Sequence, residues 1–423
     1  MQDAWLVFVE TGPLAGSGQV MDLPPCQSPG GFTARYCTDL RLPQLWEVPC
    51  RPQDLCQEDA PSERRLTVKH TTIILTLIVT CLAASGMPLL ISAYSAPPPK
   101  VAVTPAEFGY GFSQIWGDGV HARQVGFNWI QSYYPPTALQ PTRVLYRVQV
   151  QAADLSNISG FRWRLTTLAN QFGGYIDAYE IGNEVNLASE WGAPPVADDY
   201  IDLLSHAQAV LRAVDPGATI VSAGLATVGR VSGTWNGHLG HDGSVQDERE
   251  YLREFIDQGG LQMVDVIGYH PLGFRADYSA EPDVDGGTPE TNCGNGLCFR
   301  SAEKMYEILL EHGITNPRIW ATEFGWIVTP PPECENDPSW DGRLWQAVSP
   351  EKQASNLVGA FQHARLHWPW MEAMFVFNLD INTIPYYSAC EQMSYYSVTG
   401  RPAEYLLRSM FRWIYMPLIR HSR

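Results

Sequence analysis

"IDAYEIGNE", Ile176 to Glu184, is an apolar, strand-like run that ends on an Asn-Glu pair. An ionised carboxylate buried without a partner costs several kcal/mol, so a strand that ends on one marks either chemistry or ion pairing. Seven more runs share this build. "FGYGFSQIW" (Phe108 to Trp116), "VGFNWIQSYY" (Val125 to Tyr134) and "RVLYRVQVQ" (Arg143 to Gln151) precede it. "TIVSAGLA" (Thr219 to Ala226), "VDVIGYHPLGF" (Val264 to Phe274), "RIWATEFGW" (Arg318 to Trp326) and "AMFVFNLDIN" (Ala373 to Asn382) follow it. Between them, apolar residues recur at helical spacing, as in Tyr200, Leu203, Leu204, Ala207, Val210 and Leu211, or Met305, Ile308 and Leu309. "DPGATI" and "EHGITNPRI" supply helix stops, Ser349 and Pro350 a helix start, and "PAEYLLRSMF" a last helix.

Eight β-then-α units predict an α/β fold, a (β/α)8 TIM barrel, because a doubly wound sheet seldom needs eight parallel strands. Only "PPTALQPT" separates the second and third runs, so the second covering helix is expected to be reduced. In such a barrel the polar residues at C-terminal strand ends share one mouth. Two runs end on glutamate there, the fourth at Glu184 and the seventh at Glu323. Facing carboxylates are the minimum apparatus for cleaving a glycosidic bond, one protonating the leaving oxygen while the other attacks or activates water. Glu180 precedes Glu184 with the same facing parity and should lie deeper, where Arg147 of the third run would neutralise it.

With 423 residues, 45% hydrophobic and 11% aromatic, the composition is that of a folded protein. A formal charge of -17 argues against nucleic acid or anionic lipid as a partner through bulk electrostatics and suits an oligo- or polysaccharide. No Gly-rich phosphate loop follows any strand, and "AGSGQ" lacks the strand before it and the helix after it, so no cofactor is expected, and no metal.

Residues 105–423 are the expected barrel. Before them, 97–104 read as a Pro-rich linker and 68–96 as a signal peptide or signal-anchor, since Thr71 to Ala96 carries no charge and follows Arg64, Arg65 and Lys69. Uncleaved, it would contact the membrane through residues 71–93 and hold the barrel outside a bacterial cell; cleaved near Ala93, Ser95 and Ala96, it would release it. Residues 1–67 are low in periodicity and read as disordered or as foreign to the natural product, with Val68 as an alternative start that leaves a bacterial signal sequence. Peptides from before Val68 in the native protein would refute that start. Cys26, Cys37, Cys50 and Cys56 lack zinc-site spacing. Cys293, Cys298, Cys334 and Cys390 form an even set after the hydrophobic stretch, and pairing 293 with 298 and 334 with 390 is one of three connectivities, favoured by the short Gly-containing loop.

The "NE" at Asn183–Glu184 and the "TEFGW" from Thr322 to Trp326 resemble the clan A, or "4/7", glycoside hydrolases, which include families five and thirty-nine. The likeness spans most of Ala106 to Phe411. It implies that Glu184 is the general acid/base, Glu323 the nucleophile and Asn183 a ligand of the sugar 2-hydroxyl, in a retaining hydrolysis of β-glycosides. It also implies that His270 or Tyr269 bonds Glu323, as strand-six His or Tyr residues do in the clan. Trp116, Trp129, Trp191 and Trp326, with Tyr133 and Tyr386, are candidates for stacking on sugar faces. Two departures stand out: Phe377 and Asn378 where clan members commonly show a Trp, and Asn128 where family five carries an Arg near the end of strand two. A catalytically silent carbohydrate-binding envelope protein and a transglycosylase with the same residues are the alternatives.

Overall fold

Alternating strand and helix signals resolve into a closed parallel barrel in the computed structural model, which describes residues 107–114, 119–284 and 291–415. The segments expected at 1–67, 68–96 and 97–104 lie outside the described residues, as does Trp116. Among the described residues no helix is long and apolar enough to cross a membrane.

The strands are β1 (Gly109–Gln114), β2 (Trp129–Ser132), β3 (Arg143–Val148) and β4 (Ala178–Ile181). Then come β5 (Thr219–Ser222, resumed at Leu225–Ala226), β6 (Ile267–His270), β7 (Ile319–Phe324) and β8 (Met371–Val376). Each pairs in parallel with the next, and β8 returns to β1. Closure falls at β5, whose first half pairs with β4 and whose second half pairs with β6. The Val221 to Val266 bridge fills the joint.

The covering helices are α1 (Val120–Val125), α2 (Ile158–Phe172), α3 (Ala197–Val214), α4 (Glu248–Asp257), α5 (Ala302–Glu311), α6 (Pro350–His367) and α7 (Pro402–Tyr415). In α3 the six apolar positions read from the sequence are all buried. Ser349 caps α6 by accepting from Lys352 N, with Pro350 in the first turn. Residues 133–142, between β2 and β3, contain no helix at all, as the short spacer predicts. Both expected disulfides are present, Cys293–Cys298 and Cys334–Cys390, the second tying the loop after β7 to the loop after β8.

Side-chain alternation divides the barrel interior into levels. The lower level is apolar: Trp129, Leu145, Ala178, Val221, Val266, Trp320, Ala373 and Phe375. Phe375 fits because β1 offers Gly111 beside it, where any Cβ would enter its ring. Two residues further along the same strands the filling turns polar, with Gln131, Arg147, Glu180 and Thr322, all sealed from solvent. A third level lies at the mouth, where Leu272, Phe274, Trp340, Phe377, Met393 and Tyr396 form an apolar cap over the β6 to β8 side.

Candidate active site

Strand register sets the first contact of the site. Arg147 and Glu180 are direct partners across β3 and β4, both pointing inward. Arg147 Nε donates to Glu180 Oε2 at 3.0 Å, Gln131 Nε2 donates to the same oxygen at 2.6 Å, and Gly224 N donates to Oε1 at 3.1 Å. Burial alone would raise the Glu180 pKa, but the Arg147 and His270 charges outweigh it and hold it down at about 2. Glu180 is thus the buried structural carboxylate that its depth predicts.

Arg147 also does more than neutralise Glu180. Its Nη2 lies 2.8 Å from Glu323 Oε1, an ion pair without good hydrogen-bond angles. Tyr133 Oη donates to the same Glu323 oxygen at 3.1 Å and lies 2.9 Å from Ser113 Oγ. Tyr133 is therefore a hydrogen-bond donor to Glu323 and sits partly under the apolar cap. Asn128 stands just before β2, at the opposite end of the barrel, where it bonds the backbone of Tyr110 and Phe108.

Glu323 reaches the interior through an irregularity. Along the β7–β8 ladder, Ala321 pairs with Met374 and Phe324 with Val376, so β7 carries one residue more than β8 over that step. Such a bulge lets Thr322 and Glu323 both face inward. Glu184 is placed by a strained turn: Gly182 has φ +94° and Glu184 itself φ +39°, a conformation that side chains other than glycine rarely adopt. Its N–H donates to Gly224 O at 2.9 Å, which ties the turn to β5.

His270, the last residue of β6, joins the two glutamates. Its Nδ1 is 2.9 Å from Glu184 Oε1 and 3.9 Å from Glu323 Oε2, and its Nε2 is 3.9 Å from Glu180 Oε1. The imidazole's main partner is thus Glu184 rather than the Glu323 expected. Burial disfavours its charge, yet Glu323, Glu180 and Glu184 together raise its pKa to about 9. It is an imidazolium at neutral pH. Gly224 leaves the room for this, since a Cβ there would strike His270 Nε2 and Thr322 Oγ1. One ligand atom from each of Glu184, His270 and Glu323 lies within 4.8 Å of the other two. The set could ligate a metal ion, but Arg147 against Glu323 and a protonated His270 both oppose a cation there.

Asn183 is 9% exposed, and its Nδ2 donates to Glu190 Oε2 at 3.1 Å. Asn183 Oδ1 and Glu190 Oε1 are both enclosed without a protein partner. Burial and the neighbouring Glu184 push the Glu190 pKa up to about 8, so this third carboxyl is mostly protonated at neutral pH. Sequence reading missed Glu190, which rides on a single helical turn, Ala188–Trp191, where no strand pattern points to it.

The remaining candidates fall away from the mouth. Tyr269 faces outward from β6, since its neighbour His270 faces in, and its hydroxyl contacts Thr227 and Ser301. Trp129 belongs to the lower interior level, beside Trp320 and Phe375. Trp191 is buried against Tyr200, and Trp326 is buried under the β6 loop with its Nε1 donating to Ala276 O. None of the three tryptophans offers a face to a sugar and Tyr269 does not bond Glu323, which corrects the expectation for each. Tyr386 is 68% exposed in the loop after β8. Asn378 anchors that loop, bonding Met393 O and Ile381 N.

No family model and no curated protein matches the sequence. Solved structures similar to the chain are glycoside hydrolases. A family 39 glycoside hydrolase from Bacteroides cellulosilyticus WH2 is 15% identical over 71% of this chain and 62% of its own, with a TM-score of 0.43. A family 128 endo-β-1,3-glucanase from Amycolatopsis mediterranei, solved with laminarihexaose, is 16% identical over 72% of this chain and 99% of its own, with a TM-score of 0.43. A glucosidase from Croceicoccus marinus is 11% identical over 69% and 62%, with a TM-score of 0.46.

Proposed function

We propose that the chain is a retaining glycosidase that cleaves β-glycosidic bonds with Glu323 as nucleophile and Glu184 as acid/base. The observation that carries this reading is the approach of the two carboxylates, one oxygen of each lying within 4.8 Å of the other. Retaining enzymes hold their carboxyl groups about 5 to 5.5 Å apart, whereas inverting enzymes leave roughly 6.5 to 9.5 Å for a water.

Each side chain has a step. Arg147 and Tyr133 both engage Glu323 Oε1, which leaves Oε2 to attack the anomeric carbon. Glu184 gives its proton to the leaving oxygen as that bond breaks, and His270 Nδ1, 2.9 Å away, stabilises the carboxylate this leaves. In the second half, Glu184 takes a proton from water, the hydroxide attacks the same carbon and Glu323 departs, so configuration is retained. A sugar hydroxyl is the complement of Asn183 Oδ1 beside a protonated Glu190, because it can donate to one and accept from the other. Two disulfides suit an oxidising compartment, so the enzyme acts outside the cytoplasm.

Aryl β-glycosides with good and poor leaving groups test the assignment. Glu184→Ala should slow poor leaving groups by about 10²- to 10⁴-fold, spare activated ones in the first step, and recover with added azide. Equal losses on both kinds of leaving group would remove Glu184 from the acid role.

A further inference from the structure

The loop after β7 carries a cation that the mechanism does not use. Arg343 is partly buried, yet among the described residues its guanidinium makes no hydrogen bond or ion pair, and none of its nitrogens is sealed from solvent. Arg249 is paired with Asp283, Arg318 with Glu372 and Arg401 with the carbonyls of Ser394, Tyr395 and Ser397, while Arg143 lies over the Trp129 ring. Burial accordingly pulls the Arg343 pKa below the usual arginine value, with Tyr396 and Glu391 opposing but neither forming a pair. With its nitrogens open to solvent and no protein partner, the guanidinium is free to receive a partner that arrives from outside.

Its position says where that partner sits. Tyr396 belongs with Phe274, Trp340 and Phe377 to the apolar cap at the mouth, within electrostatic reach of Arg343, Glu184 and Glu323. Tyr396 is 2% exposed and packs on Phe377, but its hydroxyl has no protein partner and is not enclosed. The backbone around Arg343 is fixed: its N–H bonds Trp340 O, Trp340 Nε1 bonds Cys390 O, and the Cys334–Cys390 bridge ties this loop to the next. Two residues on, Trp345 is 47% exposed and stacks on Phe274 of the β6 loop, which leaves a flat aromatic face on the same loop. A planar fork of donors, a phenol hydroxyl and an aromatic face together match an acidic sugar.

We propose that Arg343 and the Tyr396 hydroxyl bind an anionic substituent, a carboxylate or a sulfate, on a sugar held beside Glu184 and Glu323. This rests on the glycosidase reading and names its substrate class. The formal charge of -17 opposes a long polyanion at every charge it carries, whereas Arg343 acts at contact on a single substituent, so short acidic oligosaccharides are the better fit.

The test uses the full chain and pairs of 4-nitrophenyl β-glycosides that differ at C6: glucuronide against glucoside, galacturonide against galactoside, and glucoside 6-sulfate. The anionic member of at least one pair should win in kcat/KM by about tenfold or more, mostly through KM. Arg343→Gln should erase that preference, Arg343→Lys restore part of it, and Tyr396→Phe lower it less. Equal rates within every pair, or a preference that survives Arg343→Gln, overturn the subsite and leave the glycosidase reading standing. Should no glycoside turn over, calorimetry with glucuronic acid against glucose separates the two claims. Binding of the acid alone, lost in Arg343→Gln, keeps the subsite while the glycosidase reading falls; no such binding ends the subsite as well.

Discussion

The lower and middle levels of the barrel are built from the same strands, two residues apart, and are filled by opposite chemistry. Trp129, Leu145, Ala178 and Trp320 are followed by Gln131, Arg147, Glu180 and Thr322. The lower level needs only volume, and its aromatic rings interlock to supply it. The middle level holds charges that burial penalises, kept in place by a complete set of bonds around Glu180. One level makes the fold, and the other holds Glu323 and His270 in position at some cost to stability.

Removing Arg147 should break that contrast most severely. Arg147→Met leaves Glu180 buried without its nearest countercharge, so unfolding titrations should show a loss of about 3 to 5 kcal/mol. Pairing it with Glu180→Leu should recover much of that stability but not the activity, because Glu323 still lacks its cation. Recovery of both would make Arg147 purely structural. Trp320→Ala, in the lower level, should cost about 3 to 5 kcal/mol while the folded fraction keeps its turnover rate. A fall in rate per folded molecule would mean that the two levels are not separable.

A smaller effect follows from pH. His270 has a folded pKa of about 9 against 6.5 when unfolded, so its stabilisation is complete below pH 6.5 and is lost as pH rises to 9. Glu248, sealed at the start of α4 with Asp247 beside it, is pushed up to about 8 by burial. An acid raised in the folded state is penalised increasingly as pH climbs from its unfolded 4.5 to 8, so it acts in the same direction. Glu180, held at about 2, stabilises above pH 4.5 and ceases to as pH falls towards 2. Thermal stability should therefore peak on the mildly acidic side and decline to pH 9, and Glu248→Gln should flatten that decline by on the order of a few kcal/mol. A curve rising from pH 5 to 9 would contradict the assigned proton states. Least of all, Tyr386→Ala at the exposed rim should change stability by less than about 0.5 kcal/mol, and its kinetics will show whether the rim touches substrate.

Much of this was legible in the sequence where one periodicity governed the outcome. Eight apolar runs became eight strands, the short spacer lost its helix, and the parity of Glu180 put it below Glu184 and next to Arg147. The same parity assigns Tyr269 to the outside once His270 is inside. What escaped depends on breaks in periodicity. The β7 bulge turns Glu323 inward, the left-handed turn at Glu184 aims it at His270, and Glu190 comes from one helical turn. The tryptophans escaped because a Trp near a strand end fills a loop core as readily as it faces solvent, and Trp191 and Trp326 do the former.

The central claim is that Glu323 attacks and Glu184 delivers and recovers a proton on the same face of the sugar. Proton NMR of the first sugar released from an aryl β-glycoside, read before mutarotation, tests it directly. The β-anomer appearing first is the predicted result, and the α-anomer appearing first would contradict it.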